Sequence, residues 1–173
     1  MLAVNAIIAK SIPRPCQRLM MRKKRRVTTV AERMRRIKDR DTAPELAFRR
    51  ALWRRGIRYR LHVSGLPGKP DIVISSRRVA IFIDGDFWHG NQWRSRKLAS
   101  LEEQFNDSNR GYWTRKIRRN MQRDLDSTAK LAQEGWRTLR FWESDLMHNL
   151  EESVDFASKV IADGAVEKRV DPI

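Results

Sequence analysis

A chain of 173 residues is long enough for one domain with a substantial core, and 40% hydrophobic with 34% charged residues makes a folded, heavily solvated protein the expectation rather than a disordered one. Lys and Arg number 37 against 21 Asp and Glu, and the formal charge of +16 at pH 7 points to a polyanionic partner, with nucleic acid first because basic side chains displace counterions from phosphates. An anionic membrane surface would require a basic amphipathic anchor or a lipidation motif, and neither stands out. No apolar run is long enough to span a bilayer, and the single cysteine, Cys16, cannot form an internal disulfide and fits a reducing cytoplasm.

In chain order, Met1 to Ala9 is apolar but has neither a preceding basic segment nor a cleavage pattern, so it is not read as a signal peptide. Residues 1–27 carry Pro13, Pro15 and the run Arg22-Lys23-Lys24-Arg25-Arg26 and are expected to form a basic, disordered tail. Thr29 and Glu32 form a capping-box pattern that predicts a short helix to about residue 38. Thr42-Ala43-Pro44-Glu45 opens a second helix, which Gly56 ends. Ile57, Tyr59, Leu61 and Val63 alternate as a strand would. The turn-rich segment Gly65 to Pro70 leads into two short apolar runs, Asp71 to Ile74 and Val79 to Ile83, expected as a buried hairpin. Residues 91–110 lack a clear period and are expected to be a long loop with some helical content. Tyr112 to Glu134 reads as a helix with Ile117, Met121, Leu125 and Ala132 along one face, stopped by Gly135. A strand over Trp136 to Trp142 and a helix over about 149–162 complete a domain of residues 28–163, before a polar tail at 164–173. Helix, three strands, helix, strand, helix make an α/β domain with a mixed sheet flanked by helices.

Asp71 opens one hairpin strand and Asp84 ends the next, so the open end of the hairpin brings the two carboxylates together. An oxygen-rich site of that kind suits magnesium, which can polarise a phosphate and activate water. A lone aspartate would be explained by capping alone, but this pair stands beside a histidine. His89 titrates near neutrality and can take a proton from water. Asp124, one turn after Asn120 on the long helix, is a candidate to fix its tautomer, with a surface salt bridge as the alternative. Phe87, Trp88 and Trp113 could pack in a core or wedge between base pairs.

The ordered motifs Arg40-Asp41-Thr42, Arg58 to His62, Leu66 to Val73, Ile81 to Gly85, Phe87 to Gly90, Tyr112 to Ile117, Asn120 to Asp124, Gly135-Trp136-Arg137 and Trp142-Glu143 together resemble the very short patch repair (Vsr) DNA mismatch endonucleases, a branch of the PD-(D/E)XK nuclease superfamily. The resemblance covers roughly residues 29–146. It implies a magnesium ion held by Asp71 and the main-chain carbonyl of Ile83, with Asp84 at the position of an acidic or histidine active-site residue counted with the metal set. It further implies His89 as general base supported by Asp124, and Glu45 as the helix carboxylate near the site. Phe87, Trp88 and Trp113 become intercalating aromatics. Lys69 and Lys116, the lysines inside two of the motifs, are expected to contact double-stranded DNA. The implied reaction is nicking of one strand with a 5′-phosphate left behind, at a T·G mismatch in the best-known members, by a monomer.

The chain departs from that pattern where the family commonly binds a structural zinc. The matching positions hold Asp86, Asn91 through Trp93, and Ser144, none of them a thiol, so no structural zinc is expected. The departure keeps a second substrate open, a different duplex feature cut by a restriction or phage-defence nuclease with partner proteins of its own. A DNA-binding module without catalysis is the alternative from another class.

Overall fold

The computed structural model describes residues 40–163. The expected tails and the short helix from Thr29 lie outside them.

The first described helix, α1 (Ala43–Arg54), begins as its sequence dictates. Thr42 and Glu45 form a reciprocal capping box and Pro44 sits in the first turn, where its missing N–H costs nothing. Gly56, at φ +79, turns the chain away. One face of α1, with Phe48, Ala51 and Leu52, is buried against α4 (Glu143–His148) and α5 (Leu150–Asp163), where Leu146, Val154, Ala157, Val160 and Ile161 meet it. Phe48 and Phe141 pack with ring centroids 5.1 Å apart. Leu52 is fully enclosed, so truncating it to alanine should cost about 2–5 kcal/mol.

The sheet runs β1 (Arg60–Leu61), β2 (Ile72–Ile74), β3 (Val79–Asp84), β4 (Arg137–Trp142), in that spatial order. The first two pairings are antiparallel, whereas β3 and β4 are parallel, with Phe82 opposite Arg140 and Asp84 opposite Trp142. The parallel pair requires a crossover, supplied by α2 (Gln92–Ser95), a 3-10 turn over Leu101–Gln104 and the long α3 (Asp107–Gln133). Strand alternation then sorts the side chains. Ile72, Ile74, Val79, Ile81, Leu139 and Phe141 join the core beneath α1 and α5, while Ala80 and Phe82 pack with Leu131 of α3 on the other face. Asp84 and Arg140 share the parity of Phe82, which places them on the α3 side.

The α/β architecture with a mixed, helix-flanked sheet agrees with the sequence reading, and four details correct it. The expected strand from Ile57 to Val63 pairs only at Arg60 and Leu61. Ile57 and Tyr59 pack on the core, and His62, at φ 45, leaves the extended conformation that pairing requires. The long helix starts five positions before Tyr112, at Asp107, and runs through Gly111; a helical glycine costs only about 1 kcal/mol, so it is no reliable break. Its inward face carries Thr114, Ile117, Ser127 and Leu131, whereas Leu125 and Ala132 are exposed. The short helix α4, between strand and last helix, has no separate signal in the sequence.

Candidate active site

Asp71 is set by the turn before it. Gly68 has φ +75, and a Cβ there would come within 2.8 Å of Ser127 on α3 and 3.1 Å of the Phe82 ring, so only glycine lets the turn lie against the helix. Pro70 is fully buried. The N–H of Ile83 donates to Asp71 Oδ2 at 2.8 Å, which ties the start of one strand to the end of the next. Burial pushes the Asp71 carboxyl above its ordinary pKa; the Ile83 N–H pulls it back, the negative charge of Asp84 adds to the rise, and His62 and Arg49 oppose it. The juxtaposition of Asp71 and Asp84 expected from the hairpin is therefore present in the fold. A half-buried carboxylate beside another negative charge is a good fit for a hard cation.

His89 lies in a tight turn in which Trp88 N and His89 N both donate to Gly85 O, at 3.0 and 3.1 Å. Gly90 has φ +82, a conformation that L side chains rarely adopt, and a Cβ there would press on Met121 Sδ at 2.7 Å. Asn120 donates its side-chain amide to Trp88 O at 3.0 Å, and one turn later Asp124 Oδ2 accepts from His89 Nδ1 at 2.6 Å. A carboxylate only accepts, so Nδ1 carries the proton and Nε2 keeps a lone pair for a water. Burial disfavours the charged ring, but the Asp124 hydrogen bond and the charges of Asp84 and Asp124 outweigh burial and the opposing Arg140, so the pKa of His89 lies above its ordinary value.

Sequence reasoning missed Arg140. Its Nε and Nη2 donate to Asp84 Oδ2 and Oδ1, both at 2.7 Å, and Nη2 lies 3.0 Å from Asp124 Oδ1. Its guanidinium carbon sits 4.5 Å over the Phe82 ring. Asp84, expected to offer its oxygens to a cation, thus has both engaged by an arginine. Alternation along Arg137–Trp142 could have placed Arg140 opposite Leu139 and Phe141, but nothing in the sequence reveals that β4 pairs with β3 in parallel.

Glu45, by contrast, is almost fully buried and ion-paired with Arg49, which also donates to Asp41 Oδ1 at 2.5 Å and meets His62 Nε2 at 3.2 Å. Arg49 and His62 both act on the charge of Asp71, so this cluster borders the site. Ligand atoms of Asp84, His89 and Asp124, and those of Asp41, Glu45 and His62, each fall within 4.8 Å of one another, which makes both sets acidic groups able to approach a cation. In each set an arginine already binds the carboxylates.

The three expected wedge aromatics come together. Phe87 and Trp88 meet at 4.9 Å, Phe87 and Trp113 at 5.3 Å, and Trp88 and Trp113 at 5.8 Å between centroids. Phe105, from the loop before α3, stacks on Trp113 at 6.3 Å and extends the cluster. Lys116 Nζ lies 5.1 Å from the Trp88 ring and 5.3 Å from that of Trp113, a cation held over aromatic faces. Lys69 is exposed two residues before Asp71.

The positions without zinc ligands form a hydrogen-bonded knot. Asp86 Oδ1 accepts from Asn91 Nδ2 at 2.7 Å and Ser144 Oγ at 2.6 Å, and Oδ2 accepts from Ser144 N at 3.1 Å. The Asp86 carbonyl takes the N–H groups of Asn91 and Gln92 at 2.9 and 3.0 Å. Carboxylate, amide and hydroxyl satisfy one another here and offer no soft donor to zinc.

A strongly basic α/β domain that gathers aspartates and an oriented imidazole at one end of its sheet holds the groups that hydrolysis of a phosphodiester in a polyanion requires. Residues 21–95 match the family described as DNA mismatch endonuclease Vsr. The chain is 44% identical over 112 residues to the type II nicking enzyme V.NmeDIP of Neisseria meningitidis serogroup C, covering 65% of this chain and 72% of that protein. It is 40% identical over 114 residues to the type II nicking enzyme V.HpaIIP of Haemophilus parainfluenzae, covering 66% and 77%. It is 35% identical over 118 residues to the DNA mismatch endonuclease Vsr of Escherichia coli strain K12, covering 68% and 71%. The chain belongs to the Vsr family and is an endodeoxyribonuclease. Among the described residues no helix is long and apolar enough to cross a membrane.

Proposed function

We propose that this protein nicks one strand of duplex DNA by magnesium-dependent hydrolysis, at or beside a T·G mismatch, and leaves a 5′-phosphate. The observation that carries the reading is the 2.6 Å contact between His89 Nδ1 and Asp124, beside the Asp71–Asp84 end of the sheet. Nε2 of His89 takes the proton of the attacking water, and Asp124 stabilises the imidazolium that results. Asp71 and the main-chain carbonyl of Ile83 would hold the magnesium, with Asp84 beside them on Arg140. Bound there, the ion supplies Lewis-acid polarisation of the phosphate and charge for the leaving oxygen. Asp71 fits that part because its own charge is unfavourable without a cation. Glu45 acts from behind, by keeping Arg49 and His62 against Asp71. Lys69 and Lys116 contact phosphates, and Phe87, Trp88 and Trp113 enter the base stack where a mismatch has weakened it. The protein acts as a monomer on DNA in the cytoplasm, as the family resemblance implies.

Relatives named as type II nicking enzymes favour a second substrate within the same chemistry, a duplex feature tied to restriction or defence rather than general repair. End-labelled duplexes carrying T·G, other mismatches or none separate the two when incubated with protein and magnesium and mapped for the cleavage position. Preferential nicking at T·G, lost in Asp71→Ala and His89→Ala while DNA binding persists, is the expected result. Nicking of matched duplexes at one sequence would establish the second substrate. Binding without cleavage under any divalent metal would make the protein a binding module and end the proposal.

A further inference from the structure

The imidazole of His89 has one N–H on the protein side and two carboxylates competing for it. Asp124 Oδ2 lies 2.6 Å from Nδ1, and Asp84 Oδ1 lies 3.5 Å from the same atom. Left to themselves, two anions so placed would repel each other and share the ring, and a ring drawn toward Asp84 would carry Nε2 off the line of the attacking water. Arg140 removes the competition. Its fork engages both oxygens of Asp84, and the same Nη2 reaches Asp124 Oδ1, the oxygen that His89 does not use. Its Nη1 faces Thr128 Oγ1 at 3.5 Å and its plane lies over Phe82, so the guanidinium is itself fixed from α3 and β3. The side chain of Asp84 is only 7% exposed, so this carboxylate has little water to fall back on.

We propose that Arg140 is a positioning residue of the nicking reaction: by clamping Asp84 and Asp124 together it commits Asp124 to Nδ1 of His89 and leaves Nε2 directed at the water. The inference rests on His89 acting as the base, and it deepens that reading by assigning Asp84 to the clamp. A lysine offers one ammonium and no planar fork, so it retains the charge without the geometry.

The test combines kinetics on DNA with nitrogen NMR of the histidine rings in metal-free protein. Arg140→Ala should lose between about 10- and 100-fold in kcat, the usual range for a group that orients a reacting one, with KM for DNA unchanged. Guanidinium at a sub-denaturing concentration should restore Arg140→Ala and leave His89→Ala inactive. The ring of His89 should keep its Nδ1 proton, which both carboxylates face, while the Nδ1 signal moves as its hydrogen bond becomes shared between Asp124 and Asp84. Arg140→Lys, which keeps the buried Asp84 neutralised and so guards against loss of folding, should give intermediate kcat. Wild-type kcat in Arg140→Ala or Arg140→Lys, or a rate loss with the His89 nitrogen signals unmoved, would overturn the proposal. The NMR result stands apart from catalysis. If wild type never cuts DNA yet the Nδ1 signal moves in Arg140→Ala, the clamp survives and the nuclease mechanism does not.

Discussion

Replacing Asp86 with alanine removes the centre of the knot at the positions that the family resemblance assigns to zinc ligands. Three hydrogen bonds to its carboxylate disappear, those from Asn91 Nδ2, Ser144 Oγ and Ser144 N at 2.7, 2.6 and 3.1 Å. Each is worth about 1 kcal/mol net, because the released donors at this half-buried position recover water. The sum is about 3 kcal/mol. At roughly 3 °C per kcal/mol for a domain of this size, Tm should fall by about 10 °C. The knot joins the turn carrying Phe87, Trp88 and His89 to the start of α4, so nicking should weaken below the melting transition as well. Thermal melting followed by circular dichroism, with and without a zinc-selective chelator, is the assay. An unchanged Tm in Asp86→Ala, or a wild-type Tm that drops on chelation as far as the mutation lowers it, would refute the reasoning and return a metal to this position.

Asp124→Asn should lower kcat by about 10²–10⁴ by releasing the tautomer of His89, measured on a T·G duplex under saturating DNA. The raised pKa of His89 has a definite sign: the ring must be neutral to accept a proton, so kcat falls on the acid side with a midpoint above the ordinary histidine value, and Asp124→Asn moves that midpoint down. The same shift contributes stability that is complete below the unfolded-state pKa and lost as pH rises through the folded one, which melting curves across that range would show. Asp71→Asn should raise the Tm of the metal-free protein while abolishing nicking, since burial and Asp84 penalise its charge; a lower Tm would show that the carboxylate stabilises the fold. Trp113→Ala should cost roughly 1–3 kcal/mol of binding to mismatched duplex, the range for an aromatic stacked on a base, with a smaller loss on matched duplex; equal losses in a titration of both would remove Trp113 from the wedge.

The residues of the candidate site were legible in the sequence because each belongs to a local pattern. Asp71 and Asp84 flank an apolar hairpin, His89 follows two aromatics, and Asp124 falls at helical spacing from Asn120. Helix α1 was legible for the same reason, its capping box and terminal glycine being fixed by neighbours in the chain. What joins distant segments was not. The two-residue extent of β1 depends on His62 leaving the extended region, and the exposure of Leu125 depends on which face of α3 the sheet accepts. Phe105 joins the aromatic cluster only when the loop before α3 folds back. Arg140 meets Asp84 only because β4 pairs with β3 in parallel, in a register set by packing on α1, α3 and α5 rather than by any local preference. Sequence alone determined the chemical groups and their elements, since propensity and capping act over a few residues. Tertiary structure decided which charges neutralise which, because ion pairing follows distance in space and not separation along the chain.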